Sequence, residues 1–224
     1  MDTSLFDRLW RMVLANRTAV VLGLGVVAVA IVVGIIMGGA PLVGVVGVLT
    51  ALVAFALLSW RSRRMGGESG AGGGTVLTYF ALAAVLTLGL IQLVPYGRSH
   101  SNPPTIGEPA WSSPQTRELM VNACYGCHSN EVEWPWYSNI APVSWVVTAH
   151  VDSGRGQVNY SEFTIDDGDA DETIETIREG SMPPSYYTVF GLHPGAKLSD
   201  QEVADLIAGL QLTPGMDEDE GGDD

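Results

Sequence analysis

The sequence predicts an all-α protein in two parts, a three-helix transmembrane anchor followed by a small helical domain. Three observations carry that prediction. Three long apolar stretches follow one another in the first half; the second half is strongly acidic and carries local helix-capping signals; and a Cys-Tyr-Gly-Cys-His run lies at the end of the first capped stretch.

The apolar stretches run from about Thr18 to Met37, from about Leu42 to Trp60 and from about Val76 to Val94, and none contains Asp, Glu, Lys or Arg. Each is close to the roughly 20 residues that cross a hydrocarbon core of about 30 Å as a helix. Helices buried in a water-soluble core seldom lack a polar face for so long. A cleaved signal peptide is the alternative for the first stretch, but no small-x-small cleavage site precedes the second, so the first is read as retained. None of the three carries a charge or a histidine, which leaves no proton or ion path through them and points to anchoring or docking.

Charge predicts the orientation. Arg8, Arg11 and Arg17 precede the first helix and Arg61, Arg63 and Arg64 follow the second, whereas the Gly38-Gly39-Ala40-Pro41 turn between them is uncharged. By the positive-inside rule the amino terminus and the 61–74 loop are cytoplasmic, and the third helix delivers everything after Pro95 to the outer, periplasmic side of a cell membrane. Trp10, Trp60, Tyr79 and Tyr96 fall near helix ends, where aromatic rings favour the interface. Gly34 and Gly38 on the first helix, and Gly47 and Ala51 on the second, stand four apart. Small residues at that spacing let helices approach closely in lipid, although glycine is also simply tolerated there. The glycine-rich stretch from Arg63 to Gly74 reads as a flexible connector.

The two halves differ in charge. Residues 1–94 hold six arginines against Asp2, Asp7 and Glu68, a net of +3; residues 95–224 hold five Lys or Arg against 22 Asp or Glu, a net of −17, which together make the chain's −14. Such an acidic half repels nucleic acid and favours protein partners with basic faces. Acidity that merely keeps the domain soluble is the plainer reading, and the two are compatible.

The expected domains are residues 1–95, the membrane anchor; 96–112, a linker rich in Pro, Ser and Asn; 113–212, the site-bearing domain; and 213–224, an acidic tail unable to bury enough apolar surface to order itself. Within 113–212, Ser113-Pro114 supplies an N-cap followed by proline at the first helical position, with Leu119, Met120 and Ala123 on an apolar side. A second helix is marked by Asp169 with Glu172 three residues on, then Ile174 and Ile177, with Gly180 as its stop. A third starts at Ser199 with Glu202 completing a capping box and places Val203, Leu206, Ile207 and Leu210 on one face. Residues 143–149 read as a short helix with His150 at its end.

Cys124-Tyr125-Gly126-Cys127-His128 is the C-x-x-C-H pattern by which a polypeptide holds haem covalently. Two thiols three positions apart add to the two vinyl groups of one porphyrin, and the following histidine falls under the iron as its proximal ligand. A thioredoxin-like thiol pair is the rival, but it belongs in a βαβ pattern that this sequence lacks. With only two cysteines in the chain, both are then thioether carriers for a single haem c, and no structural disulfide forms. Attachment of haem c outside the cytoplasm agrees with the orientation read from charge.

Six-coordinate haem needs a second axial ligand, and the candidates are Met182, His150, His193 and His100. Met182 lies in Gly180-Ser181-Met182-Pro183-Pro184, where prolines hold the loop and keep a thioether aimed at the iron. Methionines more often fill core gaps. His150 is the chief rival, and a lone histidine there also serves to satisfy a hydrogen bond. His100 reads as part of the linker and His193 as a loop residue near the haem edge. The Glu133-Trp134-Pro135-Trp136-Tyr137-Ser138 cluster, with Trp136 at its centre, reads either as a wall that excludes water from the porphyrin or as ordinary packing. Arg155 reads either as a bidentate partner for a haem propionate or as a solvated charge.

These residues together resemble the small haem-binding domain proteins of bacteria, membrane-anchored c-type cytochromes. The resemblance rests on Cys124-x-x-Cys127-His128-Ser129-Asn130, Trp134-Pro135-Trp136-Tyr137, Ala141-Pro142-Val143-Ser144-Trp145, His150 with Gly154-Arg155 and Asn159, and Met182-Pro183-Pro184 with a later His193-Pro194, over about residues 110–212. It implies a class I-like helical cytochrome c with His128 proximal and Met182 distal. Three membrane helices depart from the single anchor or signal sequence of many members.

The expected function is that of a monohaem electron carrier, not an enzyme, on the outer face of a prokaryotic membrane. Its expected partners are membrane lipid and redox proteins with a basic face, and no nucleic acid. Three helices exceed what a tether requires, which suggests a subunit of a larger respiratory or photosynthetic complex. A haem-based sensor and a peroxidase-like enzyme are the alternatives; the first needs Met182 off the iron or displaceable, the second an open distal side with an acid-base residue such as His150.

Overall fold

A computed structural model describes residues 17–36, 40–64, 72–165, 170, 172–188 and 193–216. Arg8, Trp10, Arg11, Gly38, Asp169, residues 65–71 of the 61–74 loop and the acidic tail from 217 lie outside the described residues. Among the described residues the chain is helical, with no strand beyond an isolated bridge between Gly107 and Glu162.

The chain divides into two compact units, Met1–Tyr96 with Ile140–Val146, and Gly97–Asn139 with Val147–Asp224. The first contains α1 (Arg17–Ile36), α2 (Ala40–Arg64) and α3 (Gly73–Ile91). All three are long and apolar enough to cross a membrane. The second helix continues past Trp60 to Arg64, and the third ends at Ile91, three residues before the expected limit. Ala19, Ala54, Leu58, Val76, Phe80 and Ala83 pack inward, while Val21, Leu24, Leu52, Leu77 and Val85 are exposed. An apolar outer surface on an apolar core is what lipid, rather than water, accommodates.

Gly47 earns its place in α2 by close approach: a Cβ there would lie 2.5 Å from that of Ala30 and 3.4 Å from the Val26 carbonyl. Gly23 on α1 lies against Ala51 and Phe80. The small residues thus seat the α1–α2 hairpin, which settles the choice left open between close packing and tolerated glycine in favour of packing. In the same unit, Ala141 and Trp145 are buried with Val46 and Ile91. The Gln92 side chain serves both backbone groups of Ala141, its Nε2 donating to the carbonyl (2.8 Å) and its Oε1 accepting from the N–H (3.0 Å).

The second unit holds α4 (Pro114–Ala123), α5 (Tyr125–His128), most of α6 (Val143–Gln157), α7 (Glu172–Arg178), α8 (Ser185–Thr188) and α9 (Asp200–Leu210). Two of the three expected N-terminal caps act as read, whereas α7 begins only at Glu172 and Asp169 lies outside the described residues. Ser113 Oγ accepts from the Thr116 N–H at 3.0 Å, and Ser199 and Glu202 form a reciprocal capping box. Gly180, with φ +70°, follows α7 in the left-handed region that ends helices. Leu206 and Leu210 of α9 meet Leu119, Met120, Tyr125, Tyr160, Ile174 and Ile177 in one core, with Val203 and Ile207 at its margin. Met216 is also buried in that core.

Two expectations change. The helix read over 143–149 runs on to Gln157, so His150 sits in its interior; Gly154 and Gly156 argue against helix by propensity, and close packing at Gly154 explains that glycine, while Gly156 faces open space. The segment 98–109 is extended, as read, but it is bonded into the unit. Ile106 donates to Ser161 O (2.9 Å), Phe163 donates to Gly107 O (3.2 Å), and Asn102 Nδ2 donates to Val132 O (2.9 Å).

Candidate functional site

Helix α4 ends at Ala123 and places Cys124 at its C-cap, from which one short turn, α5, carries Cys127 and His128 round to the same side. Two close approaches fix that turn. A Cβ on Gly154 of α6 would lie 2.7 Å from the Cys127 carbonyl and 3.0 Å from Cys127 Cβ, so only glycine lets α6 lie this close. Gly126 is covered by the Tyr187 hydroxyl, which a side chain at 126 would overlap.

The turn opens on a cavity of about 360 Å³, within the roughly 300–1,000 Å³ of cofactor and ligand sites. Cys124, Cys127, His128, His150 and Met182 all line it, and its lining is largely apolar. The structure therefore brings together four of the residues singled out from sequence, and the rival distal candidate with them. Burial pushes the Cys124 thiol up to about 12 and the Cys127 thiol up to about 11. Thiol–disulfide oxidoreductases need the opposite shift, so the pair is unsuited to that chemistry.

His128 is held by its second nitrogen. Nδ1–H donates to the Val158 carbonyl (3.2 Å) at the end of α6, which fixes the tautomer and leaves Nε2 with the lone pair. Burial holds the ring below the ordinary imidazole range, against the opposing pull of the Val158 and Gly154 carbonyls. The ring is thus kept neutral, as a metal ligand must be. Downstream, Tyr160 N–H donates to the His128 carbonyl (2.9 Å), Ser129 Oγ donates to Tyr125 O (2.8 Å), and Asn159 Nδ2 donates to Asn130 Oδ1 (3.0 Å).

Met182 stands just after the Gly180 stop and is 38 % exposed. His150 stacks on Tyr186, ring centroids 4.8 Å apart. His100 stacks on Trp134 and bonds at Ser138, and His193 stacks on Tyr187 (3.9 Å) and bonds to the Tyr137 hydroxyl (2.9 Å); neither lines the cavity.

Two residues read as cofactor neighbours lie elsewhere. Arg155 is bonded to two backbone carbonyls and one side chain, donating from Nε to Ser129 O (2.8 Å), from one terminal nitrogen to Ser101 O (3.1 Å) and from the other to Asn102 Oδ1 (3.2 Å). It staples the stretch after His128 to the 98–109 segment instead of facing the cavity. Trp136 begins a 3₁₀ turn, Trp136–Asn139, that turns its ring outward to 75 % exposure. The aromatic wall is made instead by Tyr160, Tyr186 and Tyr187. Sequence reading missed these because they obey no period; the Tyr186-Tyr187 pair two residues after Pro184 was the available signal.

A second support reaches the motif from behind. Glu108 accepts from the Tyr125 hydroxyl, from Arg117 Nε (2.8 Å) and from Trp111 Nε1 (3.1 Å). Burial alone would raise its pKa, but the three donors and the Arg117 charge hold the carboxyl below the usual range.

Two thiols, a neutral imidazole with its outer nitrogen bonded, and a thioether around one apolar cavity form a donor set that fits haem. No curated protein and no solved structure matches the chain. A family model described as a haem-binding domain matches residues 86–212, more than half of the sequence and the whole of this site, and the chain belongs to that haem-binding family.

Proposed function

We propose that this is a membrane-anchored monohaem cytochrome c that carries electrons on the outer face of a prokaryotic membrane. The observation that supports it best is the convergence of Cys124, Cys127, His128 and Met182 on one apolar cavity. When bound, haem supplies a one-electron ferrous–ferric couple. The chain's residues do the rest. Cys124 and Cys127 would hold it as thioethers, one thiol to each vinyl group. His128 would ligate the iron through Nε2, its ring orientation held by the Nδ1–H bond to Val158 O. Met182 offers a soft sulfur that favours the ferrous state. Tyr160, Tyr186 and Tyr187 exclude water from the cavity walls. The His150 ring is engaged with Tyr186, which favours Met182 as the sixth ligand over its rival.

The arginine distribution supports a cytoplasmic amino terminus with the haem domain on the outer side. Three helices leave room for association with other membrane subunits, and co-purification from mild detergent is the measurement that tests for them. Replacing Cys124 and Cys127 with alanine abolishes covalent haem, read as haem staining on a denaturing gel. Persistent staining would overturn the proposal.

A further inference from the structure

Several large apolar side chains of this unit are exposed, among them Ile106, Ile165 and Leu212, and one of them is a tryptophan. Trp136 is 75 % exposed, although tryptophan is a residue that folding normally covers. It is also the end of a row of rings. Tyr187 lines the cavity beside the Cys-x-x-Cys turn and stacks on His193 at 3.9 Å and 11° between planes. His193 Nε2 shares a 2.9 Å hydrogen bond with the Tyr137 hydroxyl. The Tyr137 ring then meets Trp136 edge to face, with centroids 5.8 Å apart. Every step from cavity wall to surface is a van der Waals or hydrogen-bonded contact between unsaturated rings.

We infer that Trp136 is the centre of the docking face for a one-electron redox protein whose contact surface is apolar in the middle and basic at the rim. The inference rests on the electron-carrier reading. Electronic coupling falls off steeply across gaps and more slowly through packed bonded groups, so a partner seated on Trp136 meets the best-connected path to the haem. The rings serve as a bridge and are not themselves oxidised. One electron leaves ferrous iron, which becomes ferric, and the partner's oxidised centre takes it up; no bond forms or breaks, and the reverse transfer uses the same path. The basic rim follows from charge. Glu133, which is exposed, precedes Trp136, Glu131 nearby is paired with Arg117 (3.3 Å), and the second half of the chain carries a net −17. The same charge disfavours a second copy of this chain on the face, since like charges would oppose. Exposed tryptophan supplies the kind of anchor that dominates binding energy at interfaces. An anionic lipid surface is the other use for an exposed tryptophan, and the flanking glutamates argue against it.

The test uses the full-length protein with its haem, reduced and mixed by stopped flow with tris(phenanthroline)cobalt(III), a cationic aromatic oxidant, or with ferricyanide, an anionic one. Trp136→Ala slows oxidation by the cobalt complex about tenfold, while Trp136→Phe recovers most of the rate. Glu133→Gln slows the cobalt reaction and flattens its salt dependence, and ferricyanide rates change by less than about twofold in all three variants. Unchanged cobalt rates in Trp136→Ala would overturn the docking face while leaving the carrier reading intact. Failure of the wild-type ferrous protein to be oxidised by either reagent would overturn the carrier reading itself. A wild-type cobalt rate in phosphatidylcholine nanodiscs that falls to the Trp136→Ala level would place the tryptophan in lipid and overturn the inference.

Discussion

Met182 and His150 reach the same cavity from different local settings, and the difference decides what each can do. Methionine at 182 follows a helix stop and precedes two prolines, so its thioether has no other polar task to perform. The His150 ring lies inside α6 and against Tyr186, and swinging it to an iron would give up that stacking. Met182→Ala therefore opens the iron to carbon monoxide in the reduced protein, and Met182→His lowers the reduction potential, because imidazole favours ferric iron more than a thioether does. His150→Ala does neither. A spectrum unchanged in Met182→Ala but opened in His150→Ala would reverse the ligand assignment and put the sensor and peroxidase readings back in play. Gly154 makes a further prediction at this scale. Because a Cβ there would press on the Cys127 carbonyl at 2.7 Å, Gly154→Ala costs about 1–3 kcal/mol in overpacking. It also lowers the share of chains with covalently attached haem, which the ratio of haem stain to protein stain measures; Gly156→Ala, at a position with open space in the same helix, raises stability by up to about 1 kcal/mol through helix propensity and leaves the haem share unchanged.

Helix ends were legible in the sequence because caps are local chemistry. Ser113-Pro114, the Ser199 to Glu202 box and Gly180 each announce a boundary within four residues, and each stands where it was read. The candidate haem-binding motif was legible for the same reason, since C-x-x-C-H compresses its residues into five positions. What lay beyond the sequence was whatever depends on distant approach. The continuation of α6 through two glycines is set by packing against Cys127, not by propensity. The tyrosine wall is assembled from the stretch after α6 and from α8, and the outward turn of Trp136 follows from a 3₁₀ turn that no period announces. Arg155 looked suited to a propionate because its residue type is, yet the carbonyls of Ser129 and Ser101 claim it. The cap on α4 yields the prediction for elements. Ser113→Ala removes the acceptor of the Thr116 N–H and costs about 1 kcal/mol. The urea midpoint of the full-length protein falls accordingly, while the haem spectrum stays unchanged, because the cap lies a whole helix away from Cys124. A shifted spectrum at an unchanged midpoint would mean that the cap acts on the site and not on the helix.

At the scale of the molecule, the distribution of charge along the chain is the quantity that organises function. The membrane half holds its arginines in two groups, Arg8, Arg11 and Arg17 before the first span and Arg61, Arg63 and Arg64 after the second, with no charge in the turn between the two spans. Three spans are an odd number, so whichever side takes the amino terminus, the residues after the third span lie on the opposite one. Arginine is held back at the cytoplasmic face during insertion; the proposed function accordingly has both groups inside and the site-bearing residues from 97 onward outside, the side on which the proposed thioether attachment would take place. The acidic second half is consistent with that side, since the positive-inside bias concerns Lys and Arg and leaves carboxylates nearly free. A protease added to intact spheroplasts accordingly removes the segment after Pro95, haem included, while an epitope placed in the 61–74 connector stays protected until the membrane is lysed. The reverse pattern, protection of the haem segment and cleavage of the connector, would invert the topology and leave the two cysteines on the side where haem c is not attached.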